Sequence, residues 1–456
     1  MTQQLSTLST DALNLDLPAQ QQLEEAADIA ARAAQKGGAS AFALAASAHT
    51  GLSLALREQA VESLEFQRDR DLGITVYIGQ HKGHAATADF RPQAIEEAVQ
   101  AACAIAAHTQ DDAANGLPDA TELAQDFPDL DLDHPTQWSM QQLLDCAREC
   151  EQRGLDASVV QSSDGMHVSA SRQISLLRNS LDFQGWRQSS DYSLSLSLIG
   201  EDDSGKRRDY WYAHDLKDAV FAQADMVADT AAARVARSLN PRQPKTGACA
   251  VIFPPELARG LFHSFLSAIS GGALYRRSSF LLDALDTAVF PHWLQINQRP
   301  RQAGRIGSAN FDAEGVATRD RELVSEGILR GWLLGSYSAR KLGLQTTGNA
   351  GGAQRIEVAS HGASSIDEMM QEAGQGLLIT SLMGQGVKLT TGDYSRGATG
   401  IWFENGAPAY AVDECTIAGN LREIFASLAA VGTDQDLRSG LVTGSVLVPR
   451  MMIAGQ

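Results

Sequence analysis

Residues 191–200 read DYSLSLSLIG, and this run decides the class of fold. Tyr192, Leu194, Leu196 and Leu198 fall on one side of an extended chain, with Ser193, Ser195 and Ser197 on the other. A period of two over this length is the pattern of a half-buried β-strand, apolar on the core side and wet on the other. Upstream, ISLLRNS (174–180) and DFQGWRQSS (182–190) have the same character; downstream, the charged turn EDDSGKRR (201–208) leads into DYWYAH (209–214). Together they predict an antiparallel meander with one wet face. Helices flank it. Ser139 and Gln142 form a capping box for MQQLLDCARECEQRG (140–154), and Asp215 is placed to cap an alanine-rich helix running to Ser238.

Toward the N-terminus the pattern repeats. Pro18, as a first-turn residue, opens LPAQQQLEEAADIAARAAQKGG, which Gly37 and Gly38 should stop. The runs LSLALRE, VESLEFQ and GITVYIG follow as strands, with GQHKG as a hairpin turn, and a second helix starts at Pro92. The chain therefore divides into an α+β subdomain over 1–108, a connector over 109–135 and a second α+β subdomain over 136–240. The connector holds eight Asp or Glu residues, no Lys or Arg, and the breakers Gly116, Pro118 and Pro128, the composition of a solvated surface segment. LNPRQPKTG (239–247) breaks the chain again. Beyond it, over 248–456, a buried strand ACAVIF and a buried helix precede many short β-like runs separated by glycine. This predicts a glycine-rich antiparallel, barrel-like domain and makes the whole chain α+β.

At 456 residues the chain exceeds what one core usually serves. Its formal charge of −18 opposes attraction to phosphate backbones, so direct nucleic-acid binding is not expected. The N-terminal residues lack a basic start and an apolar stretch, and no run approaches the length of a membrane span. Cys103, Cys146, Cys150, Cys249 and Cys415 make no even, regularly spaced framework, which suits reduced thiols in a cytoplasmic protein.

Few residues suggest chemistry by themselves. The helix GLFHSFLSAISGG (260–272) carries one histidine, His263, beside an apolar face of Leu257, Leu261, Phe265 and Ile269. A packed core histidine is the plainest reading; the remnant of a metal site, or one ligand of a site completed by another chain, are the others. TGDYSRGATG places Asp393, Tyr394, Ser395 and Arg396 in a loop that can present a carboxylate clamp and hydrogen bonds to a peptide, or can be a glycine-defined turn whose polar groups satisfy one another. Ser395 has no nearby histidine and no nucleophile elbow. Tyr275, Arg276 and Arg277 follow a glycine pair and can bind an acidic group or a partner, or form surface ion pairs. His81 with His84, and Cys146 with Cys150, lack third and fourth ligands. GNAGG (348–352) lacks the lysine of a phosphate loop.

Four motifs in order, SGGALYRRSSFLLDALD (270–286), FDAEGVATR (311–319), GWLLGSYSARKLGLQTTGNAGG (331–352) and MGQGVKLTTGDYSRGATGIWFENG (383–406), closely resemble the TldD/PmbA family. RDLGITVYIGQHKGHAATADF near the start and AGNLREIF near the end extend the resemblance over nearly the whole chain. It implies a two-subunit metallopeptidase in which a TldD-type subunit holds zinc with an HExxxH helix and a later cysteine. Here the first histidine position is His263, but the glutamate position is Ser264 and the second histidine position Ala268; the cysteine position falls near Thr443 and Gly444. Serine cannot serve as the carboxylate base and alanine cannot bind metal.

The resemblance therefore implies an accessory subunit with no cofactor or catalytic residue of its own, and zinc in a TldD-like partner. A homodimer is the arrangement open to it without that partner. The same resemblance implies unfolded peptides such as microcin precursors and antitoxins as substrates, with Asp393 to Arg396, Tyr275 and Arg276 as peptide contacts. A non-enzymatic regulatory protein, after the family's description as a modulator of DNA gyrase, is the alternative it carries.

Overall fold

The alternation around residue 195 builds the fifth strand of a six-stranded sheet. The computed structural model describes residues 12–455. Its first half contains α1 (Gln20–Lys36), β1 (Ala41–Arg57), β2 (Ala60–Ile78), β3 (His81–Thr87), α2 (Pro92–His108), α3 (Met140–Leu155), β4 (Ser162–Asn179), β5 (Gln184–Asp202), β6 (Gly205–Asp215) and α4 (Ala224–Ser238). The strands lie in the order β3-β2-β1-β4-β5-β6, every pair antiparallel. The two α+β segments thus share one sheet, joined where β1 pairs with β4 from Ala43↔Asn179 to Leu56↔Met166.

All four helices cover one face. Alternate residues of β1 set this: Phe42, Leu44, Ala46 and Ala48 pack under α1 and α2, while Leu52, Leu54 and Leu56 belong to the core shared with α3 and α4. Tyr192, Leu194, Leu196 and Leu198 are fully buried in that second core, and their serine neighbours line the wet face, where Ser169 Oγ and Ser193 Oγ lie 2.8 Å apart. The capping box of α3 forms as its sequence requires. Two helix starts differ from expectation. α1 begins at Gln20, past Pro18, and a 3₁₀ turn (Asp218–Gln223) precedes α4, so Asp215 ends β6 instead of capping a helix.

The acidic connector is not simply solvated. It runs as a strap between the sheet and the second half: Asp133 takes a two-pronged ion pair from Arg172, and Leu123 forms a bridge to Val316. Carboxylates that read as surface charge in sequence are hydrogen-bond acceptors for distant arginines, and sequence proximity carries no sign of those partners.

The second half contains β7 (Gly247–Phe253), α5 (Pro255–Ala268), α6 (Gly271–Tyr275), β8 (Ile296–Gln298), β9 (Arg321–Ser325), β10 (Ile328–Leu329), α7 (Ser336–Leu342), β11 (Ile356–Val358), α8 (Ile366–Ala373), β12 (Gly376–Met383), β13 (Val387–Lys388), β14 (Asp393–Glu404), β15 (Ala407–Asn420), α9 (Leu421–Ala426), β16 (Ala430–Val431), β17 (Leu441–Val442) and β18 (Val446–Ala454). Strands β12, β7, β18, β15 and β14 follow one another, and β14 pairs back onto β12, closing a five-stranded barrel. A second sheet, β10-β9-β8-β11-β17, stands beside it. α5 is packed between them through Leu261, Phe265 and Ile269, with Phe265 edge-on to Phe290 at 5.0 Å. No described helix is long and apolar enough to cross a membrane.

Candidate functional site

With Leu261, Phe265 and Ile269 turned inward, the helical repeat sends His263 and Ser267 to the opposite side of α5, and Ser270, the N-cap of α6, follows them. There they line a cleft of about 740 Å³. His263 is therefore not the core histidine expected; its ring is exposed to the cleft. Shielding by the cleft walls, and then the nearby Arg259 charge, lower its pKa, which favours the neutral imidazole. Ser264 donates back to the Gly260 carbonyl at 2.9 Å, and Ala268 is fully buried in the core. Thr443 is also fully buried, its hydroxyl on the Gly444 carbonyl. The donor set does not fit zinc: among the described residues no three of His, Cys, Asp or Glu are grouped to hold a metal ion.

One cleft wall is α6 with α7. The helices touch so closely at Gly271 that a Cβ there would lie 2.1 Å from Ser338 Oγ. This contact brings Tyr275 edge-on to Tyr337 at 5.7 Å between ring centroids. Arg276 lies over the Tyr275 ring and donates to its hydroxyl at 3.0 Å. Tyr337 donates to Asp112 of the strap at 2.9 Å, and Lys341 donates to the other Asp112 oxygen at 2.8 Å. The Lys341 bond, followed by those from the Ala114 backbone and Tyr337, holds the Asp112 carboxyl at about 2. Arg340 reaches the strap carbonyls of Ala114, Gly116 and Leu117.

The other wall is the glycine-rich loop after Gly348, and Asp312 sets its shape. This carboxylate is 1% exposed and accepts the N–H of Ala350 at 2.8 Å, of Glu314 at 2.8 Å and of Val316 at 3.0 Å. Burial outweighs these three bonds and raises its pKa to about 6. The loop that resembled a phosphate cradle thus has an N–H taken by the protein's own carboxyl group. Asn349 is fixed beside it by Gln298 at 2.8 Å and Arg321 at 3.0 Å. Glu314 lines the cleft with one oxygen on the Ser336 N–H at 2.8 Å.

Tyr275 and Arg276 share this cleft with His263; Asp393, Tyr394, Ser395 and Arg396 do not line it. Those four are not a loop but the first residues of β14, pairing with Asn420, Gly419, Ala418 and Ile417 of β15. Gly392, just before them, closes a turn at φ 82°, while Gly386, six residues further back, serves close strand packing: a Cβ on it would lie 1.4 Å from the Ser395 carbonyl oxygen. Tyr394 turns into the core, where burial pushes its hydroxyl up to about 12. Asp393 is engaged by Thr391 at 2.6 Å and Asn420 at 3.3 Å. His81 and His84 bond separately to the Thr109 carbonyl and Thr75, and the Cys146 and Cys150 thiols lie on the Phe221 and Ala224 carbonyls.

Glu314, Tyr337 and Asn349, which line the cleft, and Asp312, buried behind its wall, were not singled out in the sequence. All four stand inside the family-like motifs FDAEGVATR and GWLLGSYSARKLGLQTTGNAGG, and that was their only signal. Asp112, in the acidic strap, had none.

Sequence models for PmbA/TldA metallopeptidase domain 1, the central domain and the C-terminal domain match residues 43–106, 133–239 and 246–455. The chain is 42% identical to Metalloprotease PmbA of Escherichia coli O157:H7 over 435 residues, which cover 95% of this chain and 96% of that protein. Among solved structures, it is similar to a protein of Bacteroides thetaiotaomicron described as a proposed modulator of DNA gyrase. That similarity has a TM-score of 0.88 at 24% identity and covers 95% of this chain and 99% of the other. TldE from Thermococcus kodakarensis gives a TM-score of 0.83 at 18% identity, covering 94% and 100%.

Proposed function

The chain belongs to the PmbA/TldD metallopeptidase family, and from that premise we propose that it is the TldE/PmbA-type accessory subunit, which binds peptide but leaves hydrolysis to a zinc-bearing TldD-type partner. The observation that carries this reading is His263. It alone of the three motif positions presents a ligand type to the cleft, with Ser264 where a general base would stand and Ala268 buried in the core. A single imidazole gives little zinc affinity.

In this reading zinc and the base for the attacking water are the partner's. This chain's cleft supplies one wall of the space that receives the substrate. Its groups suit a peptide main chain: Arg276 has N–H donors beyond the one spent on Tyr275, and Glu314 has a carboxylate oxygen beyond the one on Ser336. A wall of this kind favours extended chains, which suits small unfolded peptides such as microcin precursors and antitoxins in the cytoplasm.

The test is zinc content and peptidase activity of the chain alone, then mixed with a TldD-type subunit, before and after chelation. We expect the lone chain to be zinc-poor and inert, and the mixture to be active and chelator-sensitive. A lone chain that holds stoichiometric zinc and cuts peptide would overturn the reading. The regulatory alternative is favoured by the description attached to the Bacteroides relative. The charge of −18 directs any such effect through protein or peptide, not DNA. It would gain ground if the mixture stayed inert while both chains still bound peptide.

A further inference from the structure

A second cleft opens beside the Asp312 turn, between the acidic strap, residues 306–310 and the wet face of the six-stranded sheet. It encloses about 900 Å³. Strand alternation sets its floor: Arg187, Ser189 and Asp191 fall on the serine face of β5, and His49 and Gln173 stand beside Ser189 on β1 and β4. Asn310 donates to the Pro128 carbonyl at 2.9 Å and so ties one wall to the other.

Charges in this cleft are unequally satisfied. Of the four aspartates that line it, Asp133 is paired with Arg172, Asp191 accepts from His214 at 2.7 Å, Asp131 lies 3.5 Å from Lys217, and Asp129 accepts the N–H of Asp131. Arg187 is the one arginine lining the cleft, and it is exposed there. Its Nη2 donates to the carbonyls of Phe311 and Asp312, and its guanidinium lies over the Phe311 ring at 4.3 Å. Among the described residues it has no carboxylate partner, and its Nη1 and Nε groups have no acceptor. Shielding by the surrounding walls lowers its pKa, and the Asp312 charge offsets this only in part. In such a setting an opposite charge counts for more than it does at an open surface.

The two clefts touch. Gly307 lines the second and Gly440 the first, and a Cβ on Gly307 would lie 2.7 Å from the Gly440 Cα, so no side chain stands between them there. Arg187 grips the carbonyl of Asp312, while Glu314, two residues on, lines the first cleft. We propose that the second cleft continues the peptide path and that Arg187 holds a carboxylate of the bound peptide, from its C-terminus or from an acidic side chain. The guanidinium is already oriented by its ring and carbonyl contacts, as a two-pronged carboxylate contact requires. The nearby aspartates disfavour a free anion, but a carboxylate tethered to a chain seated in the first cleft arrives at high effective concentration. This inference rests on the peptide-binding reading of the first cleft.

The test is fluorescence anisotropy with the full chain and a short, labelled, unfolded peptide of Gly, Ser and Val in three forms: a C-terminal amide, a free C-terminal carboxylate, and an amide with one Glu near that end. The plain amide should bind, and at least one carboxylate form should bind roughly tenfold more tightly; which one does so identifies the source. Arg187→Gln should abolish that ratio and Arg187→Lys should retain part of it, with circular dichroism confirming the fold. Where Arg187→Gln does not fold, salt decides on the wild type, because a charge preference shrinks as ionic strength rises. Equal binding of all three forms would overturn the inference and leave peptide binding standing, whereas failure of all three to bind would remove both. A preference that survives in Arg187→Gln, or one indifferent to salt, would also overturn it.

Discussion

Asp312 holds the glycine-rich loop and the Glu314 turn through one carboxyl group, and its buried setting raises its pKa to about 6. The sign follows from the direction. A carboxyl whose folded pKa exceeds its unfolded value of about 4 contributes fully below pH 4 and loses that contribution as pH rises through 6, an effect on the order of 3 kcal/mol. Asp312→Asn removes that titration and turns an amide N–H toward a backbone N–H, at a cost of about 1–3 kcal/mol. Urea midpoints measured from pH 4 to 7 should therefore show wild type losing its lead over the variant as pH rises; parallel curves would contradict the assignment. His263 illustrates what one residue in sequence conceals. Its helix and apolar stripe were legible, but whether its own side faced core or cleft depended on the position of α6 and the loop at 349, which no local pattern encodes.

At the level of elements, α7 is tied to the strap by Asp112 and Arg340, and this tie holds Tyr337 against Tyr275. Asp112→Ala should leave the melting temperature nearly unchanged, because the pair is at the surface. It should nevertheless weaken peptide capture several-fold by releasing Tyr337, as fluorescence titration with a labelled unfolded peptide would show; unchanged capture would make the latch merely structural. With its pKa held at about 2, Asp112 contributes fully above about pH 4 and is lost only as pH falls through 2, so capture through the latch should be flat across neutral pH. Strands were the most legible elements, since alternation at 191–200 and the capping box at Ser139 are local signals. The joining of β1 to β4 was not, for it pairs residues more than a hundred positions apart. The DYSRG run read as a loop because glycines mark turns in sequence; Gly392 does hold a turn, but from Asp393 onward the chain pairs with β15.

For the molecule as a whole, the two halves are joined by a buried charged knot. Arg438 lies over Trp211 and Tyr212 of β6 at 4.6 and 4.2 Å and donates to Asp436 at 2.8 Å, while Arg259 reaches the same carboxylate at 3.1 Å. Burial acts to raise the Asp436 pKa, but the bond from Arg438 and the two guanidinium charges prevail and hold it low. Arg438→Ala strips a main partner from a buried carboxylate, so a loss of about 3–5 kcal/mol is expected. Calorimetry should then resolve two melting transitions in place of one; a single, unshifted transition would show that the halves cohere by other means.

The closed barrel also bears on how the chain is made. Its first strand, β7, lies against β18, which leaves the ribosome after every other described strand of the barrel. The six-stranded sheet can assemble while synthesis continues, but the barrel must wait as an open ribbon with unpaired edges until residues 446–454 emerge. Nascent chains stalled just short of that strand should resist protease through residue 240 and be cut readily beyond it. During translation the second half is thus the part of this chain most in need of a chaperone.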